Sequence, residues 1–386
     1  MDISYILNEY AEDREHYYNA VAPPIIQTSN FSFRKVADLR KAFEDEMGGY
    51  LYSRGINPTV DILRKKLAAL DGAEDCLVFN SGAAAIFASV LACVKAGDHI
   101  VSVRQPYTWA QKMFDVILPR FGVTATYVDG TDIANFAAAL QPSTALIYLE
   151  SPNSWDYALQ DLRAVAALAR ARNIYTVIDN SYCTPLYQRP LDYGIDVSIQ
   201  TATKYIGGHS DTLGGVVCGS HSLIKRMFDS EYLTIGSGIQ PFNAWLLIRG
   251  LRSLQARLDR ISGTTRKVVD FLRAHPSVGS VLFPMDPSFP QYELATRQMT
   301  GACGLFTFTL KNGTAERITR FCESLEHIMM AVSWGGHESL VIPRCAGIDP
   351  ADFDPANPEH QQIRMYTGLE DPGYLIADIS RSLDAI

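Results

Sequence analysis

The sequence predicts an α/β fold in which helices cover both faces of a mostly parallel sheet. The chain has 386 residues, 47% of them hydrophobic and 20% charged, which is enough apolar material for two domains with cores. After the first 57 residues, short β-branched runs alternate with segments of helical periodicity. Polar residues follow several of these runs, and parallel sheets bind ligands at the carboxyl ends of their strands.

Composition argues against several classes of function. The net charge is −8 and no basic stripe is present, so we expect no nucleic-acid partner. The longest apolar stretches, such as AAAIFASVLACV, fall short of a membrane span. The acidic, aromatic N-terminus does not resemble a signal peptide. Seven cysteines without a C-x-x-C pair indicate reduced thiols in a cytoplasmic protein and no metal site.

Residues 1–50 are predicted to form an arm that contacts a neighbouring subunit. The segment VAPPIIQTSNFSF is predicted to be extended chain, and its apolar content favours packing against another surface. The first long helix follows in NPTVDILRKKLAALDG. Asn57 can cap it, Pro58 suits its first position and Gly72 ends it.

Residues 51–250 are predicted to form the large domain. Helices are expected over 81–94, 108–118 and RAVAALARAR, with strands at CLVF, HIVSV, VTATYVD, TALIYLE, YTVIDN and DVSIQTATK. We expect the last strand to run to Lys204, which would put Thr201 and Thr203 on one face by alternation.

Residues 251–386 are predicted to form a smaller α+β domain. A linker helix over 251–275 leads into it, and DPGYLIADISRSLDAI closes it as a helix. Two further helices are expected among the strands VGSVLFP, GLFTFTL, HIMMAVSW, SLVIP and QQIRMYTGL.

Lys204 and Asp179 are the leading catalytic candidates. Lys204 ends an apolar run and precedes two glycines, so it is either an exposed lysine or a desolvated amine that forms a Schiff base. Asp179 ends YTVIDN and either caps a turn or pairs with the ring nitrogen of pyridoxal phosphate (PLP). A lysine and a carboxylate at neighbouring strand ends could hold two sides of one ring.

Three further segments could hold anions. In FNSGAAAIFASV, small residues begin a helix directly after a strand, a common loop pattern that also suits phosphate. Tyr52 and Arg54 in YSRGINPT are either a surface pair or a phosphate clamp. Arg364 lies inside an apolar strand, where a substrate carboxylate would be a suitable partner.

The motifs YSRGINPT, DNSYCTP, TATKYIGGHSD, SWGGHESL and IRMYTGLED, in their order along the chain, resemble those of the Cys/Met-metabolism PLP enzymes. The resemblance runs from about Pro23 to the C-terminus. It implies the aminotransferase-like fold type I, with a mostly parallel seven-stranded sheet in the large domain, PLP as cofactor, and a homotetramer built from catalytic dimers.

The resemblance also implies residue roles. Lys204 matches the lysine that binds PLP covalently, Asp179 the partner of the ring nitrogen, and Tyr107 a tyrosine that stacks on the ring and assists proton transfer. The phosphate-binding positions are matched by Gly82, Ala83, Thr201 and Thr203. Tyr52 and Arg54 match a pair that reaches the phosphate of the neighbouring subunit. Substrate-binding positions are matched by Ser333, Trp334 and Arg364.

Departures from the commoner family pattern narrow the expected reaction. They lie in Tyr107-Thr108-Trp109, in Ser333-Trp334-Gly335-Gly336, and in Ser151-Pro152-Asn153-Ser154-Trp155. All three are similar to bacterial members that cleave cystathionine by β-elimination, so we expect a carbon–sulfur lyase of that kind. The alternatives are γ-synthase or γ-lyase chemistry on cystathionine, methionine or an O-acylhomoserine, and, more remotely, a non-catalytic binding protein. Tyr366 stands where many relatives have a small residue and could narrow the site.

Overall fold

A computed structural model describes all 386 residues, and its larger sheet has seven strands. The strand order is β1-β7-β6-β5-β4-β2-β3, and only β7 runs antiparallel to its neighbours. The strands are β1 (Asp75–Phe79), β2 (His99–Val103), β3 (Thr124–Val128), β4 (Thr144–Glu150), β5 (Tyr175–Asp179), β6 (Val197–Gln200) and β7 (Gly215–Gly219). The predicted mostly parallel seven-stranded sheet is therefore confirmed.

Both faces of this sheet are buried, because alternate side chains along each strand enter different cores. Ile100 and Leu146 belong to a 26-residue cluster on one face. Their neighbours Val101 and Ile147 belong to a 13-residue cluster on the other face. This two-sided burial explains why the strands read as continuous apolar runs.

Eleven α-helices lie between the N-terminus and residue 252, either on these faces or in the N-terminal segment. They are α1 (Ile3–Asn8), α2 (Val36–Glu44), α3 (Pro58–Asp71), α4 (Gly82–Leu91), α5 (Thr108–Lys112), α6 (Ile133–Ala139), α7 (Leu162–Arg170), α8 (Thr184–Tyr187), α9 (His221–Met227), α10 (Leu233–Ile235) and α11 (Pro241–Arg252). Helix α3 begins and ends as predicted: the Asn57 side chain accepts the Thr59 amide at 3.0 Å, and Gly72 ends the helix with φ +70°.

The second sheet contains five strands in the order β10-β11-β12-β9-β8. Its strands are β8 (Val278–Leu282), β9 (Leu305–Leu310), β10 (Met329–Met330), β11 (Leu340–Pro343) and β12 (Ile363–Tyr366), and its helices are α12 (Leu254–Ala274), α13 (Tyr292–Gln298), α14 (Ala315–Ser324) and α15 (Pro372–Asp384). HIMMAVSW was expected to be a full strand, but only its two methionines pair. No helix of the protein combines the length and apolarity needed to cross a bilayer.

The predicted final strand of the large domain is too long, because β6 ends at Gln200. Residues 202–207 form consecutive turns instead. In these turns the Lys204 amide donates to the Thr201 carbonyl at 3.1 Å, and the Gly208 amide donates to the Lys204 carbonyl at 2.8 Å. The expected alternation of Thr201 and Thr203 along a strand is therefore wrong.

The N-terminal segment contacts its own chain. The Lys66 ammonium of α3 is fully buried and donates to the Ile6 carbonyl at 2.9 Å. It also lies 3.2 Å from the Glu12 carboxylate, so an ion pair sits beneath α1. Further along, the Asn57 side chain donates to the Ile26 carbonyl at 2.9 Å. Contact between this arm and a neighbouring subunit stays a prediction.

Candidate active site

A cleft opens at the carboxyl ends of the central strands, where sequence analysis placed the functional residues. Five of its lining residues were predicted: Tyr107, Asp179, Thr201, Lys204 and Trp334. The others are Glu150, Pro152, Ser154, Ser181 and Tyr182. The loops after β2, β4, β5 and β6 supply most of the lining, and the loop between β10 and β11 contributes Trp334.

Lys204 presents its amine to this cleft in a poorly solvated position. The ammonium donates to the Ser333 hydroxyl at 2.6 Å and lies 4.3 Å from the centre of the Trp334 ring. Burial lowers the pKa of Lys204 to about 8, with the Arg364 charge acting in the same direction and Asp179 opposing it. An appreciable fraction of the amine is therefore neutral near physiological pH and able to act as a nucleophile.

The loop that carries Ser333 and Trp334 lies directly on the Lys204 turn. At Gly335, where φ is +90°, a Cβ atom would lie 2.7 Å from the Lys204 carbonyl carbon, so only glycine permits this approach. Ser333 itself has φ +87°, which is unusual for a residue with a side chain. The close contact explains how a residue 129 positions away reaches the lysine.

Asp179 ends β5 as a buried carboxylate with 6% exposure. It accepts the Ser181 amide at 2.9 Å, and it takes part in none of the ion pairs of the chain. Burial raises its pKa, whereas Ser181 and Lys204 lower it. A carboxylate in this state suits a positively charged ring nitrogen, since pairing would offset its desolvation.

The start of α4 lies against Thr201. A Cβ atom at Gly82 would overlap the Thr201 side chain, so this glycine allows the two segments to meet. The Thr201 amide donates to the Ser181 hydroxyl at 2.7 Å. The ten-residue helix α4 therefore directs its N-terminal amides towards the side of the cleft that Thr201 lines.

Two other predicted phosphate residues lie differently. Ala83 is exposed and borders an apolar surface groove together with Trp109. The Thr203 hydroxyl accepts the Gly214 amide at 3.1 Å, and Thr203 lines a neighbouring cavity with Ser333. The structure brings neither residue into the lining of the main cleft, and their binding of phosphate stays a prediction.

Arg364, on β12, is a buried cation without an anionic partner. It has 7% exposure, it belongs to no ion pair of the chain, and its Nε has no hydrogen-bond partner. Its Nη1 donates to the Ser154 carbonyl at 3.1 Å. The guanidinium carbon lies 4.6 Å from the Trp155 ring centre and 5.2 Å from that of Trp334. This arrangement fits a ligand carboxylate arriving at the cleft.

Tyr366 does not narrow the cleft, contrary to expectation. Its hydroxyl donates to the Gly336 carbonyl at 2.7 Å, and its ring packs against Tyr205 with the centres 6.0 Å apart. Tyr366 is 1% exposed, and its hydrogen bond to Gly336 stabilises the loop that carries Ser333.

Tyr52 and Arg54 are exposed and do not line the cleft of their own chain. The Arg54 guanidinium lies 5.3 Å from the centre of the Tyr52 ring. Their predicted reach into a neighbouring subunit is compatible with this exposure and stays a prediction.

Sequence reasoning missed Glu150, a buried acid at the end of β4. The register of β4 and β5 sets Glu150 directly opposite Asp179. Burial and the nearby Asp179 charge both raise the pKa of Glu150, while the amides of Tyr107 and Ser154 lower it. One signal was available: TALIYLE ends in a carboxylate just as YTVID does.

The residues present fit PLP, the cofactor that the resemblance implies. Lys204 offers a largely desolvated amine for its aldehyde, and Asp179 offers an unpaired buried carboxylate for its ring nitrogen. The start of α4, packed on Thr201, offers backbone amides for its phosphate.

Comparison with known proteins agrees with this fit. The family model described as Cys/Met metabolism PLP-dependent enzyme matches residues 5–384. The L-methionine gamma-lyase of Treponema denticola is 37% identical over 98% of this chain and 96% of its own length. Cystathionine gamma-synthase 1, chloroplastic, of Arabidopsis thaliana is 35% identical over 95% of this chain and 66% of its own. The O-succinylhomoserine sulfhydrylase of Pseudomonas aeruginosa is 34% identical over 94% and 90%. The chain belongs to the Cys/Met metabolism PLP-dependent enzymes, and its cofactor is pyridoxal phosphate.

Proposed function

We propose that the protein is a carbon–sulfur lyase that cleaves L-cystathionine by β-elimination to homocysteine, pyruvate and ammonia. One observation carries the proposal: Lys204 and Arg364 both lie at the Trp334 ring, 4.3 Å and 5.2 Å from its centre. A substrate carboxylate held by Arg364 therefore brings its Cα close to the Lys204 amine. Lys204 is then placed to remove the Cα proton as a general base.

The residues around the cleft have distinct proposed roles. When bound, PLP supplies the electron sink that stabilises negative charge at Cα. Asp179 would keep the ring nitrogen protonated, and Tyr107 would lie against the ring. Gly82, Ala83, Thr201 and Thr203 would hold the phosphate, with Tyr52 and Arg54 of a neighbouring subunit. Ser333, Trp334 and Arg364 orient the substrate, and Lys204 or Tyr107 returns a proton to the departing sulfur.

The surroundings of Lys204 favour β-elimination over γ-elimination. Cleavage at Cβ needs a proton removed only from Cα, whereas cleavage at Cγ also needs one removed from Cβ. A base that serves both carbons has to move between them. Here the amine is held by the Ser333 hydroxyl at 2.6 Å and flanked by the Trp334 ring. These contacts favour a single position of the Lys204 amine, which suits proton removal from Cα alone.

The second candidate is γ-chemistry on the same scaffold. The observation that favours it is the similarity to relatives named for γ-reactions, with 37% identity to the L-methionine gamma-lyase of Treponema denticola. The two candidates differ in their keto-acid products and in their substrates, so one assay separates them.

That assay measures the keto acid formed from cystathionine and from methionine, and the product of O-acylhomoserine with cysteine. Pyruvate from cystathionine supports the proposal. If 2-oxobutanoate is the product instead, the γ-candidate replaces it. A thioether formed from O-acylhomoserine and cysteine would identify a γ-synthase.

We also propose a homotetramer of catalytic dimers located in the cytoplasm. Exposed apolar side chains that another subunit could cover support the assembly, among them Val21 (78% exposed), Phe43 (70%) and Trp109 (56%). Seven free cysteines support a reducing compartment. The test mixes inactive Lys204→Ala subunits with inactive Arg54→Ala subunits. Recovered activity supports a site shared between subunits, and no recovery opposes it.

A further inference from the structure

Glu150 uses both of its carboxylate oxygens to bind backbone amides of two separate loops. Oε2 accepts the Tyr107 amide at 2.6 Å, in the loop after β2. Oε1 accepts the Ser154 amide at 3.1 Å, in the loop after β4. The side chain lines the cleft, and the residue is only 5% exposed. One carboxylate therefore fixes the spacing of two cleft walls.

The second of these loops continues the connection to Arg364. The Ser154 amide donates to Glu150, and the Ser154 carbonyl accepts from Arg364 Nη1 at 3.1 Å. Tyr107 and Arg364, which lie at different parts of the site, are thus joined through Glu150 and one short backbone segment. Asn153 adds a second tie, since its side chain donates to the Gln105 carbonyl at 2.8 Å.

An ionised carboxylate is energetically unfavourable at this position. It is buried and lies opposite Asp179 in the strand register, so both desolvation and like charge oppose its ionisation. The two amides reduce this effect but do not cancel it, because the pKa of Glu150 remains raised with both hydrogen bonds in place. Glutamine at the same position would have one oxygen for two amides and would direct its own NH2 group at the other. The arrangement therefore depends on two acceptor oxygens.

We propose that Glu150 is a positioning residue that sets Tyr107 for the cofactor and Arg364 for the substrate carboxylate. The substrate half of this statement rests on the proposed function. The cofactor half rests only on PLP being the cofactor, so the two halves can be tested separately.

The test compares Glu150→Gln with the wild type and with Glu323→Gln, an exposed glutamate of α14, as the matched control. Two quantities are measured: the dissociation constant of PLP from titration of the apoprotein, and KM and kcat for pyruvate formation from cystathionine. Loss of one of the two hydrogen bonds is expected to weaken PLP binding roughly 10-fold and to raise KM roughly 10-fold. The Glu323→Gln control should match the wild type in both.

A purely structural role is distinguished by thermal unfolding. If Glu150→Gln lowers the melting temperature but its folded fraction keeps the wild-type KM and PLP affinity, the proposal is overturned. Should Glu150→Gln fail to fold, Glu150→Asp takes its place, because it keeps the charge but is too short to reach both amides. Glu150→Asp with both constants unchanged overturns the proposal as well. If the wild type cleaves no thioether, the proposed function fails and the PLP titration alone decides the role of Glu150.

Discussion

The Lys204 ammonium donates a hydrogen bond of 2.6 Å to the hydroxyl of Ser333, which lies in the loop between β10 and β11. The contact joins the amine expected to hold the cofactor to the loop expected to hold the substrate. It also helps to keep the amine away from solvent, and burial is the main cause of its lowered pKa. The reactivity of Lys204 therefore depends on the packing of its own turns against the loop that carries Ser333.

Cofactor capture should depend on pH through Lys204. Only the neutral amine attacks an aldehyde, and the pKa of Lys204 is lowered to about 8. The rate of PLP binding to the apoprotein should therefore rise with pH through about 8 and level off above it. Stopped-flow absorbance of reconstitution between roughly pH 6.5 and 9.5 measures this. A rate that keeps rising towards the ordinary lysine range would contradict the lowered pKa.

Asp179→Asn should lower kcat with little loss of folding. Asparagine keeps the size of the side chain but no longer holds a proton on the ring nitrogen by charge. Removing one such electrostatic contribution costs roughly 10²- to 10³-fold in kcat. Pyruvate formation from cystathionine measures the change, and Asp270→Asn, at an exposed position of α12, is the matched control. A variant with wild-type turnover would remove the role given to Asp179.

Arg364→Lys should raise KM for cystathionine roughly 10- to 100-fold, because lysine lacks the planar fork that binds a carboxylate at two points. Arg344→Lys is a close control. Arg344 also stacks on Trp155, at 4.8 Å, but it is already paired with Glu359 at 3.4 Å. Steady-state kinetics should show a large change in KM for Arg364→Lys only. Equal effects in both variants would mean that stacking on Trp155, and not carboxylate binding, is the function of Arg364.

Two glycine substitutions should have opposite effects. Gly82→Ala puts a Cβ atom into Thr201 and should weaken PLP binding and cost about 1–3 kcal/mol of stability. Gly263→Ala lies in the middle of α12 with nothing within 4 Å of the new atom, so it should add about 0.5–1 kcal/mol. Denaturant unfolding and PLP titration measure both. Tight PLP binding by Gly82→Ala would show that the approach of α4 to Thr201 does not matter for the phosphate.

Much of the fold could be predicted because its determinants are local. The buried strands of the large domain are short apolar runs, and α3 carries its cap, its proline and its terminal glycine in sequence. Strand β7 was missed, since GVVCG is short, bounded by glycines and paired with the distant β1. The β-branched TATK was expected to be strand. Turn hydrogen bonds such as the Gly207 amide to the Ala202 carbonyl, at 2.8 Å, override that local preference.

The candidate site was predictable only in part, for a similar reason. Asp179 ends β5 and Lys204 lies in the turns that follow β6, and in the sequence both stand directly after apolar runs. The part played by Glu150 follows from the β4–β5 register and from two loops that meet only in three dimensions. Equally, the sequence cannot show that Arg364 lacks an ion-pair partner, or that Tyr366 points away from the cleft. These properties belong to tertiary packing.

Lys204 is expected to bond covalently to PLP, and borohydride reduction followed by peptide mass spectrometry identifies the lysine that carries the cofactor. Reduction fixes the cofactor to the amine that carries it. We expect a single modified peptide, the one containing Lys204, and no fixed cofactor in Lys204→Ala. Cofactor fixed to another lysine, or a Lys204 peptide that stays unmodified in the PLP-loaded enzyme, would contradict it.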